Sequence, residues 1–165
     1  MLEFDVLVEV PKGGRNKYEV DQQTGRIRLD RLLYTSTAYP ADYGYIENTR
    51  GQDGGPLDAM VLLREPTFPG CLIACRAIGM FQMTDEVGSD PKVLCVPTHD
   101  PRLEHLRDIH HVSKFDRLQI QHFLEEYKSI EPGMSVGATY WVGRTEAESE
   151  VEACFARFKE NPSAP

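Results

Sequence analysis

The chain has 165 residues, 41% of them hydrophobic and 27% charged, and its 26 acidic side chains outnumber 18 basic ones to give a net charge of −8. That length and composition predict one folded domain, residues 1–165, with a true core, and the acidic surplus argues against a nucleic-acid backbone or an anionic membrane as partner. No run of about 18 apolar residues could span a membrane, and Met1-Leu2-Glu3-Phe4-Asp5 lacks the basic region and apolar run of a signal peptide.

In chain order, Phe4 to Val10 alternates apolar and polar positions, which predicts a strand ended by Pro11 and Gly13-Gly14. Lys17-Tyr18-Glu19-Val20 reads as a second strand. Asp21 to Gly25 then turns a hairpin into Arg26 to Leu29, with Asp30-Arg31 at the strand end. The pairing puts Lys17 and Glu19 on one face. Residues 34–50 are turn-rich and aromatic, with Tyr34, Tyr39-Pro40 and Tyr43-Gly44-Tyr45. Such a stretch is either a packed surface cover or a pocket wall with its hydroxyls inward.

A Gly/Pro loop from Gly51 follows, carrying Asp53 and Asp58, and Ala59 to Leu63 reads as a buried strand. Cys71 to Met83 is a long apolar run broken at Arg76 and Gly79, as expected of a bent strand. The loop Thr84 to Lys92 leads into another strand, Val93 to Val96. Ser113 signals a helix start. Ile120, Phe123, Leu124, Tyr127 and Ile130 keep helical spacing up to Pro132-Gly133, and a strand from Met134 to Val142 contains Trp141. Thr145 to Glu148 has the form of a capping box. Ala147, Val151, Cys154, Phe155 and Phe158 make the apolar stripe of a closing helix, and Asn161 to Pro165 should fray. Strands first and helices last predicts an α+β fold, a small barrel with helices outside. Cys71, Cys75, Cys95 and Cys154 lack CxxC spacing and read as buried, reduced thiols. His99, His105, His110, His111 and His122 lack ligand spacing and suit solvated or capping roles.

The chemistry concentrates in two loops of one design. Asp53 and Asp58, and again Asp85 and Asp90, stand five apart in glycine-containing turns between apolar strands. Carboxylates converging on rigid strand ends are hard oxygen donors suited to Mg²⁺. Glu9 and Glu19 add acid, Lys17, Arg31, Lys92 and Lys128 add cations, and Tyr39, Tyr43 and Tyr127 add phenols. Divalent ions bridge phosphate oxygens and activate water, while Lys and Arg hold the leaving group. Metal-assisted hydrolysis of a phosphoanhydride is the indicated reaction class. No Gly-x4-Gly-Lys-Ser/Thr loop, His-Glu-x-x-His or Gly-x-Ser-x-Gly elbow competes.

These ordered pieces resemble the family I soluble inorganic pyrophosphatases of bacterial type. The likeness runs from Val8-Glu9-Val10-Pro11 through Lys17-Tyr18-Glu19, Asp30-Arg31, Tyr39-Pro40, Tyr43-Gly44-Tyr45, Asp53-x-x-Pro56-Leu57-Asp58, Thr84-Asp85-Glu86, Asp90 and Lys92 to Tyr127-Lys128. It implies a five-stranded OB-like β-barrel with flanking helices, and Mg²⁺-dependent hydrolysis of pyrophosphate to two phosphates by a cytoplasmic homohexamer. By family role, Glu9, Glu19, Asp53, Asp58, Asp85 and Asp90 would hold several Mg²⁺ ions. Lys17, Arg31, Tyr43, Tyr127 and Lys128 would hold the phosphates, and Lys92 would bind phosphate or orient Asp90. OB-like barrels also bind single-stranded nucleic acid, but the net charge and the lack of a basic aromatic stripe oppose that.

One position departs from the family loop Asp-Gly-Asp-Pro-x-Asp: its middle acid, the usual proton acceptor, is here Gly55. A slowed enzyme is expected, with Asp90 the remaining candidate to assist deprotonation. The alternative is a catalytically impaired scaffold that binds pyrophosphate and metal.

Overall fold

The computed structural model describes residues 1–162; of the tail expected to fray, residues 163–165 lie outside that range. Eight strands and two helices follow in the order β1 Phe4–Val10, β2 Asn16–Val20, β3 Ile27–Leu32, β4 Asp42–Ile46, β5 Leu57–Val61, β6 Leu72–Asp85, β7 Lys92–Pro97, α1 Lys114–Glu126, β8 Val136–Gly143 and α2 Arg144–Glu160. β1 pairs antiparallel with β4, β4 with β5, β5 runs parallel to β7, β7 is antiparallel to β6, and β6 returns to β1. Five strands therefore close a ring, as expected of an OB-like α+β fold. β8 extends β6 outside the ring, and β2 and β3 form a separate hairpin.

The long strand β6 makes this closure possible. Its first residues pair with β1, its middle with β7 and its last with β8. The register slips between Ala77 and Gly79. A bulge of this kind bends a strand and flips the faces its side chains occupy. Accordingly Cys75 and Ala77 pack in one apolar cluster, whereas beyond the slip it is Met80 that joins them and Phe81 and Met83 that face the other cluster. Gly79 sits where a Cβ would come within 3.0 Å of the Val142 carbonyl oxygen, so the bend has no room for a larger residue.

Several elements differ from the sequence reading. Residues 34–50 contain β4, masked by its Tyr-Gly-Tyr composition. Gly44 reads as a turn residue, yet it is there because a Cβ would stand 1.9 Å from the Leu7 carbonyl oxygen of β1. β3 runs on to Leu32, so Asp30 and Arg31 lie within it rather than at its end. α1 stops at Glu126 with Tyr127 as its cap, and Ile130 is 64% exposed in the turn beyond. Ser113 does cap α1, accepting from the Asp116 N–H.

The expected capping box at Thr145 to Glu148 is absent. α2 starts two residues earlier, at Arg144, behind Gly143, which has no side chain to cap with. Instead Asp108, from the loop after β7, accepts the Arg144 N–H at 3.0 Å. The stripe of α2 is otherwise as read, with Ala147, Val151 and Cys154 fully buried. All four cysteines are free, three buried and Cys71 half-buried, and no helix among the described residues is long and apolar enough to cross a membrane.

Candidate active site

A cavity of about 580 Å³ is lined by Glu9 and Glu19, Asp53, Asp58, Asp85 and Asp90, Lys17, Arg31, Lys92 and Lys128, and Tyr43 and Tyr127, so every candidate site residue from the sequence faces one space. The fold explains the convergence. Glu9 is the second-to-last residue of β1, Lys17 and Glu19 alternate along β2, and Arg31 comes from β3. The parallel pairing of β5 with β7 sets Asp58 directly beside Lys92. Tyr39, Phe123 and Tyr127 pack ring against ring, Phe123 and Tyr127 stacked at 5.1 Å, which fixes the end of α1 where Tyr127 and Lys128 enter the cavity. Tyr39 and Tyr43 are buried, so the 34–50 stretch supplies a pocket wall.

At the centre Lys92, 3% exposed, meets Asp58 Oδ2 at 2.6 Å and Asp90 Oδ1 at 3.0 Å. The Tyr43 hydroxyl donates to the same Asp58 oxygen at 2.8 Å. Burial opposes the Lys92 charge, but Asp58, Tyr43 and Asp90 outweigh it and hold the amine well above its usual range. Burial raises the Asp90 carboxyl above the ordinary range despite Lys92, with Asp58 adding to the rise.

Around this centre each cation is shared between acids. Lys17 bonds Glu19 and reaches Asp30 at 3.1 Å. Arg31 bonds Asp30 and meets Glu131 at 2.7 Å. Lys128 stands 3.6 Å from Asp85 and 3.5 Å from Glu86. Asp85 Oδ1 accepts the N–H groups of Val87 and Gly88 at 2.8 and 3.1 Å, and Asp53 Oδ1 accepts that of Gly55 at 3.0 Å. Each loop thus bends its own backbone onto its first acid. Glu9 Oε2 accepts the Val20 N–H at 2.8 Å, yet burial still pushes its carboxyl to about 8.

Among the described residues no three His, Cys, Asp or Glu side chains are grouped closely enough to hold a metal as they stand; the acids are drawn to the chain's own cations. The donor set nonetheless fits Mg²⁺. The lining offers carboxylates without a histidine or cysteine, which favours hard cations over zinc. Eight acidic residues line it against four basic ones. A multiply charged anion would be repelled from such a space unless divalent cations entered with it.

Three residues near the site had no assigned role in the sequence reading. Asp30 and Glu86 line the cavity as neighbours of Arg31 and Asp85. Glu131 lies behind Arg31, and its Glu-Pro-Gly setting reads only as a helix stop. Gly55 does not line this cavity, and a Cβ there would meet only Asp53 Oδ1, at 3.7 Å, so a larger side chain has room.

Residues 6–159 match the family model described as inorganic pyrophosphatase. The chain is similar to an inorganic pyrophosphatase of Streptomyces coelicolor, 72% identical over 159 residues that cover 96% of this chain and 98% of that one. It is also similar to the solved structure of an inorganic pyrophosphatase from Thermus thermophilus, with a TM-score of 0.92 and 44% identity over 95% of this chain and 91% of that one. A Helicobacter pylori inorganic pyrophosphatase matches with a TM-score of 0.92 and 34% identity, covering 95% and 94%.

Proposed function

Because this chain belongs to the inorganic pyrophosphatase family, an inorganic diphosphatase that hydrolyses pyrophosphate, we propose that it does so with Mg²⁺ in the cavity described above. The excess of acidic over basic residues in the lining is the observation that carries the metal requirement. Asp53, Asp58, Asp85 and Asp90, with Glu9 and Glu19 beside them, are the groups to hold the ions. Magnesium, when bound, neutralises phosphate charge and makes a coordinated water acidic enough to attack near neutral pH.

The chain's own residues do the rest. Lys17, Arg31 and Lys128 hold phosphate oxygens, and Arg31 does so with a planar fork that matches them two at a time. Tyr43 and Tyr127 contribute hydroxyl groups. Lys92 keeps Asp58 and Asp90 oriented and adds a cation to the anion's surroundings. Asp90, beside Lys92 at the centre of the cavity, is the group assigned to take the proton of the attacking water. By the same family reading the enzyme works in the cytoplasm as a homohexamer.

The reading predicts that phosphate release from pyrophosphate rises from background with added Mg²⁺ and is abolished by chelation. No release at any Mg²⁺ concentration, with pyrophosphate still bound, would instead support the impaired scaffold, which Gly55 favours. The open surroundings of Gly55 permit a direct test. Gly55→Asp should raise kcat by about 10²–10⁴-fold if a proton acceptor is missing there. Turnover equal to the parent would remove the role assigned to that position.

A further inference from the structure

Arg31 takes its two carboxylate partners from different elements of the fold. Asp30, its neighbour in β3, bonds one terminal nitrogen, and Glu131 takes the other at 2.7 Å. Glu131 does not line the cavity and is only 7% exposed, in the turn that follows Tyr127 and Lys128. Among the described residues its one ion pair is with Arg31, and its other oxygen, Oε2, is buried with no hydrogen-bond partner. A buried carboxylate is costly unless paired, so its presence there calls for a purpose that the packing of the turn does not supply.

We infer that Glu131 is a positioning residue for pyrophosphate binding. It fixes the Arg31 guanidinium and ties the turn bearing Tyr127 and Lys128 to β3. A guanidinium has five N–H groups in a rigid plane. With one terminal nitrogen on Asp30 and the other on Glu131, rotation about the long side chain is stopped, and N–H groups on both nitrogens remain for phosphate oxygens. Without Glu131, Arg31 would keep only the partner adjacent in sequence and could swing about it. The freed side chain would then have to be ordered by the substrate, which weakens binding and leaves the chemical step intact.

This inference rests on Arg31 as a phosphate-holding group, and the experiment separates the two. Kinetics of pyrophosphate hydrolysis at saturating Mg²⁺ are measured for the parent, Glu131→Gln, Arg31→Gln and the double variant, with thermal unfolding alongside. Glu131→Gln should raise KM about tenfold with kcat within about twofold, and in the Arg31→Gln background it should change KM no further. A merely structural role would lower the melting temperature and the active fraction without moving KM. If Arg31→Gln raises KM but Glu131→Gln does not, or if the two effects multiply in the double variant, the positioning role is overturned. If Arg31→Gln itself leaves KM unchanged, the phosphate-holding role of Arg31 fails first.

Discussion

The strands of the ring bury both faces, and the two faces are built from different material. One packs Val6, Ala59, Ala77, Met80 and Val93 under Ala147, Val151 and Cys154 of α2. The other packs Val10, Met60, Ile78 and Leu94 under Ile120, Phe123 and Leu124 of α1, but its margin is Tyr39, Tyr43 and Tyr127, which open onto the charged cavity. The α2 face gains stability by removing apolar area from water and by little else. The α1 face carries at its edge a set of half-buried acids that the chain only partly neutralises. Stability on the first face should therefore be indifferent to divalent cations, whereas on the second it should depend on them.

Lys92 is the sharpest place to break that contrast. Lys92→Met leaves Asp58 and Asp90 facing each other without their shared cation. Removing one partner of a buried ion pair costs about 3–5 kcal/mol, and the loss should appear in urea unfolding with a chelator present. Added Mg²⁺ should restore part of it by binding the same carboxylates. On the opposite face Met80 is fully buried, and Met80→Ala should cost about 2–5 kcal/mol, equally with chelator and with Mg²⁺, and leave KM unchanged. An equal loss for Lys92→Met in both conditions would erase the distinction between the faces.

Glu9 sharpens it through pH. Burial above all, with Asp58 and Glu19 adding to it, raises its carboxyl from 4.5 to about 8 in the folded chain. Between those values the folded state holds a proton that the unfolded state has released, so stability falls as pH rises through the window and is flat below it. In chelator, the parent should lose on the order of 5 kcal/mol across that window, and Glu9→Gln should remove most of the slope. If the variant keeps the parent's slope, Glu9 is not the group responsible.

The same contrast governs what could be read from the sequence. Asp53, Asp58, Asp85 and Asp90, with Lys92 beside them, were legible because carboxylates at fixed spacing in glycine turns are a local pattern, whereas Glu9, Glu19, Lys17, Arg31 and Lys128 took their site roles from the family resemblance. β1 was legible as alternation and β5, β6 and β7 as apolar runs, but β4 was not. Gly44 is demanded by the backbone of β1, a strand more than thirty residues earlier, and no local signal reports such an approach. Glu131 was hidden for the same reason, since its partner Arg31 arrives from the far wall. Gly-Pro punctuation placed the end of α1 too late because Pro132-Gly133 closes a turn rather than the helix itself.

The start of α2 shows the same limit, and there the effect is smallest. Thr145 and Glu148 match a capping box in sequence, yet the orphan N–H of Arg144 is met by Asp108, thirty-six residues earlier in the chain. Asp108 Oδ1 also accepts the Ile109 N–H at 2.7 Å, so one carboxylate begins both a 3₁₀ turn and a helix. These N–H bonds outweigh partial burial and hold its carboxyl below the usual range. Asp108→Ala should cost about 1–2 kcal/mol, the usual range for a lost cap, and Thr145→Ala less than about 0.5 kcal/mol. Because α2 covers the apolar face, urea midpoints should shift equally with chelator and with Mg²⁺, and KM should stay put. A larger loss from Thr145→Ala than from Asp108→Ala would return the cap to the local motif.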